Sequence, residues 1–373
     1  MDHQDPNLGA GGVDDGQGGG NDAASRAADA KDHGVLYVGV DLGTSRTSVS
    51  ASNGIRETVA SLVGYPKDVV AKKLLKKEVL FGDEASEKRL SLNMYRPLEE
   101  GTLKVDEAGG EESDANLRAA RDLLRHAMSQ VQARKDELIY AVIGAPAQAS
   151  IHNKQAIIDA ARECVDSVML CSEPFAVAYG LEMLEDVLVI DIGAGTTDLC
   201  RMHGTMPEES DQITITYAGD YLDQQLFDAF KEQCPGAQFT IGMVKQLKEK
   251  YSFVFGQSAP IKVEFPVDGK PQEFDITQPM FESCKKIVAP IVDSLGKLVA
   301  SFDPEFQHKL RNRVLLAGGG SLIGGLDRAI EEEMKERLGG GRVIRIEEPI
   351  YGGANGALKI AHDMPEEFWE KLK

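Results

Sequence analysis

The sequence lacks the features that mark a membrane-spanning or exported protein. It contains no run of about 18 apolar residues, so no transmembrane helix is expected. Its first residues, MDHQDPNLGAGG, hold neither a basic segment nor an apolar segment, and a signal peptide is therefore not expected. We expect a cytoplasmic protein with no direct insertion into a membrane.

Cysteine is scarce, and no two cysteines form a CxxC pair. The chain has five, which are Cys164, Cys171, Cys200, Cys234 and Cys284. This spacing predicts reduced, mostly buried thiols and disfavours a zinc site.

Basic residues are outnumbered by acidic ones. Lysine and arginine total 41 against 60 aspartates and glutamates, which gives a net charge of −19. Nonspecific binding to DNA and to anionic lipid depends on basic patches, so this balance disfavours nucleic acid as a partner.

The chain does contain a regular alternation of strands and helices. Short apolar runs that end in glycine-rich turns alternate with helical stretches of about 10 to 15 residues, a pattern that predicts an α/β fold with covered sheets. One long helix is predicted from about Pro279 to Phe302. Residues 1–33 show no apolar period and are predicted to form a disordered, acidic, glycine-rich tail.

Two segments of the chain resemble each other. Residues 41–48, DLGTSRTS, and residues 191–198, DIGAGTTD, each follow an apolar strand and precede another. Glycines let backbone N–H groups approach phosphate oxygens closely, and Thr and Ser hydroxyls add donors. An aspartate cannot lie beside phosphate without a cation, so Asp41 and Asp191 are predicted to hold Mg²⁺ through water. The repeat predicts a duplicated domain with one phosphate-binding hairpin in each half.

A third glycine-rich turn, AGGGS at 317–321, lies between a predicted strand and a predicted helix. A flat base could lie on its bare backbone, and a helix N-terminus would add positive potential. The chain has no GxxxxGK[ST] sequence, and Ile323 takes the place of the last glycine in GxGxxG. A P-loop ATPase and a Rossmann dinucleotide site are therefore disfavoured.

The order of these motifs resembles that of the actin, Hsp70 and sugar-kinase ATPase superfamily. The resemblance rests on DLGTS, SEPFAVAYGL, DIGAGTTDL, AGGGSLIGGL and YGGANGALKIA, and covers about residues 35 to 363. Within it, VGYPKDVVAKKLL, RPLEEG, IGAPAQAS and MPEEFW are similar to the MamK family, MreB-like bacterial actins associated with magnetosome chains.

The resemblance implies an actin-like fold, in which two ribonuclease-H-like lobes enclose a nucleotide cleft. Lobe I is expected at 35–183, with a small subdomain near 61–105, and is rejoined by 346–373. Lobe II is expected at 184–345, with a subdomain near 226–280.

The resemblance also implies which residues bind ATP and Mg²⁺. Glu173, just before Pro174, would position the attacking water, with Asp191 as the second catalytic residue. The expected nucleotide contacts are Asp41, Gly43, Thr44, Ser45, Arg46, Gly193, Ala194, Gly195, Thr196, Thr197, Gly219, Asp220, Lys245, Lys248, Gly318, Gly319, Gly320 and Ser321. Lys245 falls where relatives usually carry a glutamate for the ribose hydroxyls, which is a departure from the family pattern.

Three functions are compatible with this resemblance: a polymerising ATPase, a small-molecule kinase and a non-polymerising adaptor ATPase of a membrane-associated machine. A kinase needs its own catalytic aspartate between the lobes, and the sequence offers no separate candidate. An adaptor would tend to lose the water-positioning glutamate, whereas Glu173 is present. The favoured expectation is a cytoplasmic filament along the magnetosome chain, assembled with ATP and turned over by hydrolysis. Its main partner would be itself, with magnetosome-associated proteins as candidate partners.

Overall fold

A computed structural model describes residues 34–104, 110–146, 149–256 and 259–372. The tail predicted at 1–33 lies outside the described residues. From the start of this range to residue 180 the elements are β1 (Val35–Leu42), β2 (Arg46–Ala51), β3 (Arg56–Ala60), β4 (Val63–Pro66), α1 (Val69–Leu75), β5 (Leu80–Phe81), α2 (Gly82–Glu87), β6 (Leu92–Tyr95), β7 (Leu98–Glu99), β8 (Thr102–Leu103), α3 (Glu111–Gln130), β9 (Leu138–Ala145), α4 (Ile151–Ala161), β10 (Ser167–Ser172) and α5 (Glu173–Gly180).

The second half of the chain repeats this alternation. Its elements are β11 (Glu185–Ile192), β12 (Thr197–His203), β13 (Gln212–Ile215), α6 (Gly219–Gln233), α7 (Ile241–Tyr251), β14 (Lys262–Val267), β15 (Lys270–Asp275), α8 (Thr277–Lys285), α9 (Val288–Ala300), α10 (Pro304–Arg311), β16 (Val314–Ala317), α11 (Leu326–Leu338), β17 (Val343–Arg345), α12 (Gly352–Asp363) and α13 (Glu366–Glu370).

Two five-stranded sheets with equivalent connections organise these elements. The first has the order β10-β9-β1-β2-β3 and the second β17-β16-β11-β12-β13. In each, the central strand pairs with the next strand along the chain in an antiparallel hairpin and with a later strand in parallel. Asp41 lies opposite Ser48 in the first hairpin, and Asp191 lies opposite Asp198 in the second. The duplication predicted from the two DxG segments is therefore present in the sheets.

Smaller sheets occur outside these two. Strands β5, β4 and β6 form a three-stranded sheet, and β14 pairs with β15 in an antiparallel hairpin. They fall in the chain regions where the two small subdomains were expected. The exact lobe and subdomain boundaries stay a prediction.

The last helices of the chain return to the first sheet. Helix α12 runs so close to β1 that a β-carbon at Gly39 would lie 2.1 Å from the carbonyl oxygen of Ala354. In α13, Trp369 is fully buried and stacks on Tyr140 of β9, with ring centroids 5.1 Å apart. Their hydrophobic cluster also contains Val189 of β11. The C-terminal segment thus helps to pack the two sheets against one core.

The prediction of one helix from about Pro279 to Phe302 is wrong. The structure has two helices there, α8 and α9. Pro290 has no N–H to donate to the carbonyl of Lys286, and its ring would clash with that carbonyl in a continuous helix. The helix therefore restarts at Val288, which places Pro290 in the first turn, where the missing donor costs nothing.

Helices α5 and α12 cross at glycine. A β-carbon at Gly356 would lie 1.7 Å from the carbonyl oxygen of Ala176, so the helices would have to separate. We expect Gly356→Ala to lower the free energy of unfolding by about 1 to 3 kcal/mol, the usual cost of overpacking. Chemical denaturation of the nucleotide-free chain measures this change.

The control for this substitution is Gly242 in the first turn of α7. Its β-carbon would meet only Thr240 Oγ1, at 3.8 Å. Gly242→Ala should be neutral or stabilising by up to about 1 kcal/mol, because alanine favours helix. Equal effects of the two substitutions would show that the crossing does not depend on glycine.

Candidate functional site

A cavity of about 330 Å³ lies where the two hairpins meet. Most of the predicted site residues line it, namely Asp41, Gly43, Thr44, Ser45, Arg46, Glu173, Asp191, Gly193, Ala194, Gly195, Thr196, Gly219, Asp220, Lys245, Lys248, Gly318, Gly319 and Gly320. The fold thus brings together groups that are up to about 280 residues apart in the chain.

Two predicted residues do not line this cavity. Thr197 is fully buried, and its hydroxyl donates to the carbonyl oxygen of Tyr217 at 2.8 Å. The hydroxyl of Ser321 donates to the carbonyl oxygen of Gly318 at 2.7 Å. Both hydroxyl groups thus bond to backbone carbonyl oxygens of the protein. Their prediction as direct nucleotide contacts is corrected accordingly.

The two hairpin turns have the same backbone geometry. Gly43 N–H donates to the carbonyl of Arg46 at 3.1 Å, and Gly193 N–H donates to the carbonyl of Thr196 at 2.9 Å. The turns also approach each other closely. A β-carbon at Gly195 would lie 2.6 Å from Thr44 Oγ1, so glycine is required where the hairpins face each other. The two turns therefore lie against one cavity, as a phosphate site between them requires.

Three carboxyl groups, those of Asp41, Glu173 and Asp191, line this space together. Burial raises the pKa of Asp41 to about 6. Burial, and then the charge of Asp41, raise the pKa of Glu173 and that of Asp191 well above their ordinary values. Asp198 adds to both shifts. A cation between these groups would favour their ionised forms.

The carboxyl groups suit a magnesium ion that keeps part of its water shell. In the described part of the chain, no three His, Cys, Asp or Glu side chains are close enough together to hold a metal ion. Mg²⁺ usually binds one or two carboxylates, several waters and substrate phosphates. Asp41, which is half-buried, and Asp191, which is buried, lie beside the phosphate-type turns and fit such a water-mediated site.

Helices α6 and α7 supply a polar wall that the sequence analysis recognised only in part. Lys248 Nζ pairs with Asp223 Oδ1 at 2.7 Å and donates to the carbonyl of Gly219 at 2.6 Å. Arg46 pairs with Glu249 at 3.2 Å, across the cavity. Asp223 and Glu249 line the cavity and were not predicted. The sequence offered a weak signal for Asp223 alone, because it lies one helical turn after the predicted site residue Asp220 and therefore on the same face of the helix.

Residues 96–101, which follow β6, contact the first hairpin turn and were not predicted as site residues. Arg96 Nη2 lies 2.6 Å from Asp220 Oδ2, and its Nε donates to the carbonyl of Thr44 at 3.0 Å. Gly101 N–H donates to Thr44 Oγ1 at 2.8 Å. The segment links the first hairpin to the start of α6. Only the RPLEEG resemblance pointed to it.

Comparison with known proteins assigns the family. The model of the MreB/Mbl protein family matches residues 36–367. The chain belongs to the MreB/Mbl family. The expected actin-like α/β fold is confirmed, since this family is actin-like and the solved structures similar to the chain are actin-like as well. No helix in the ranges given above is long and apolar enough to cross a membrane.

Within the MreB/Mbl family, the chain is similar to MamK. It is 39% identical over 337 residues to the actin-like protein MamK of Paramagnetospirillum magneticum, covering 90% of this chain and 95% of that protein. It is 32% identical to the MamK-like protein of the same organism, covering 91% and 98%. The predicted MamK resemblance is confirmed.

The chain is also similar to solved structures of MamK. The MamK double helical filament matches with a TM-score of 0.84 at 39% identity, covering 88% of this chain and 99% of that chain. A non-polymerising MamK mutant bound to AMPPNP matches with a TM-score of 0.67 at 39% identity, covering 89% and 100%.

Proposed function

We propose that this actin-like chain binds ATP and Mg²⁺ in the cavity and polymerises into filaments that hydrolysis turns over. The observation that carries the proposal is the pair of equivalent glycine turns, one from each sheet, that face each other across a cavity with Asp41, Asp191 and Glu173. The similarity to a MamK filament and to AMPPNP-bound MamK supports it.

Each part of the cavity has a role in this proposal. The N–H groups and hydroxyls of both turns would hold the phosphates, and Asp41 and Asp191 would hold Mg²⁺ through water. When bound, Mg²⁺ neutralises charge on the phosphates. Glu173 would orient the attacking water as a carboxylate, with Asp191 as the second catalytic group. The fixed turns supply positioning, which is the main requirement of phosphoryl transfer.

Nucleotide binding would be coupled to assembly through the two lobes. Both lobes line the cavity, so ATP binds best when they are arranged around it, and a ligand shifts an equilibrium only through such a difference. We assign the lobes to 35–183 with 346–373, and to 184–345, with subdomains near 61–105 and 226–280. Head-to-tail contacts between subunits would then build an open filament.

The similarity to MamK also supports a cellular role. We propose that the filament lies in the cytoplasm and organises magnetosome chains, with magnetosome-associated proteins as partners. The chain's net charge of −19 favours neither nucleic acid nor anionic lipid as the surface that localises it.

Assembly is tested by sedimentation and light scattering of the purified chain. ATP, Mg²⁺ and moderate salt together should produce pelletable filaments, because a net charge of −19 repels neighbouring subunits and salt at 0.1 M screens charges beyond about 10 Å. Omitting the nucleotide or keeping ionic strength very low should leave the protein in the supernatant. A chain that stays monomeric in all conditions, up to tens of micromolar, would be an adaptor and not a filament.

A further inference from the structure

Among the residues that the structure describes, three cationic side chains line the cavity, and two of them form ion pairs. Arg46 is paired with Glu249, and Lys248 is paired with Asp223. Lys248 is only 9% exposed and donates to a backbone carbonyl as well, so it has little freedom to serve a ligand. These two cations stabilise the walls of the cavity.

Lys245 is the third cation, and its surroundings differ. Within the described ranges, no carboxylate lies close enough to form an ion pair with Lys245 Nζ. Its Nζ instead donates to Ser45 Oγ, on the turn between β1 and β2 in the opposite lobe. Burial lowers the pKa of Lys245, and Arg96 lowers it further, whereas Glu249, Asp223 and Asp220 raise it. The cavity therefore holds a half-buried ammonium group with room for an anionic partner.

The position of the Lys245 ammonium group determines which part of a bound nucleotide it can contact. Ser45 lies in the first glycine turn and lines the same cavity, beside the residues proposed to hold the phosphates. An ammonium group only donates hydrogen bonds, and phosphate oxygens only accept them, so the two are complementary. A glutamate at this position would instead accept hydrogen bonds from ribose hydroxyls, which a lysine cannot do.

We propose that Lys245 binds the polyphosphate of the nucleotide and not its ribose, so that it makes affinity depend on the presence of phosphates. This inference rests on the proposed function and names a specificity-determining residue for it. In the structure Ser45 Oγ accepts a hydrogen bond from this ammonium group. On binding, a phosphate oxygen would take over or share this hydrogen bond, which joins α7 of one lobe to the first hairpin of the other.

The test compares ATP, ADP and adenosine as ligands of the full chain with Mg²⁺ present. Lys245→Ala should weaken binding of ATP and ADP by roughly 10-fold to 100-fold, the range for a hydrogen bond to a charged group, and adenosine by less than about threefold. Lys245→Arg should retain most of the affinity for ATP. The loss in Lys245→Ala should also shrink as salt is raised, because salt screens the lost charge interaction.

The matched control is Lys250→Ala, which removes the same charge from an exposed position of the same helix. It should leave all three affinities unchanged. An equal loss for adenosine and ATP in Lys245→Ala would assign the residue to the ribose or base, and unchanged ATP binding would remove it from the site. Either result overturns the inference while ATP binding by the wild-type chain still supports the proposed function. A wild-type chain that binds no ATP would overturn both.

Discussion

Replacing Glu173 by glutamine is expected to slow ATP hydrolysis about 100-fold or more, the usual contribution of a positioned general base. Glutamine keeps the shape of the side chain but cannot accept the proton of the attacking water. Glu173 begins α5 and lines the cavity, and Gly144 leaves so little room that a β-carbon there would lie 3.3 Å from Glu173 Cγ. The absence of a side chain at Gly144 therefore leaves the space that Glu173 occupies.

Nucleotide binding and assembly should survive this substitution, so filaments should persist instead of turning over. Phosphate release measured beside sedimentation separates the two effects. Glu264→Gln, at an exposed position on β14, is the control and should change neither. A hydrolysis rate in Glu173→Gln equal to that of the wild type would remove Glu173 from the mechanism.

Asp191→Asn is expected to abolish Mg²⁺-dependent hydrolysis and, at the same time, to stabilise the nucleotide-free protein. The loss follows because an amide cannot replace the carboxylate that is proposed to hold the ion. The stabilisation is expected because the substitution removes a negative charge from the cavity. Asp191 is buried, and Asp41 and Glu173 are half-buried beside it in the same cavity. Each has a raised pKa because desolvation, and for Asp191 and Glu173 also their neighbours, disfavour the ionised form.

The sign of the pH dependence follows from these raised values. A carboxyl group with a raised pKa binds its proton more tightly in the folded chain than in the unfolded chain, so its ionisation lowers stability as pH rises. For Asp41 this loss sets in between its ordinary pKa and the folded value of about 6. Removing one charge from these carboxyl groups should therefore raise the melting temperature at pH 7.5. This increase over the wild type should become smaller as the pH is lowered towards 5.

Melting curves in EDTA without nucleotide, at both pH values, measure this effect. Asp228→Asn, on the exposed side of α6, controls for the change in net charge alone. A lower melting temperature for Asp191→Asn at pH 7.5 would show that the carboxylate stabilises the free protein. Normal Mg²⁺-dependent hydrolysis by the variant would show that the metal site is misassigned.

Patterns of neighbouring residues in the sequence were sufficient to predict the backbone conformation of the site. The DxG segments carry their own turn chemistry, since glycine permits the tight approach at Gly43 and Gly193 and the flanking apolar runs require strands. The split between α8 and α9 was equally local, because Pro290 alone prevents a continuous helix, although one helix was predicted there. The helix and strand pattern of an α/β fold was thus available from residues close together in the chain.

The partners of the polar side chains were decided by the tertiary structure. Periodicity cannot tell that Thr197 bonds to the carbonyl of Tyr217, that Arg96 reaches Asp220, or that Arg46 pairs with Glu249. Lys245 and Ser45 are separated by 200 residues, and their contact exists only because the two lobes face each other. A side chain's charge state and partner depend on groups within a few ångströms in space, whereas sequence patterns report on groups a few residues along the chain.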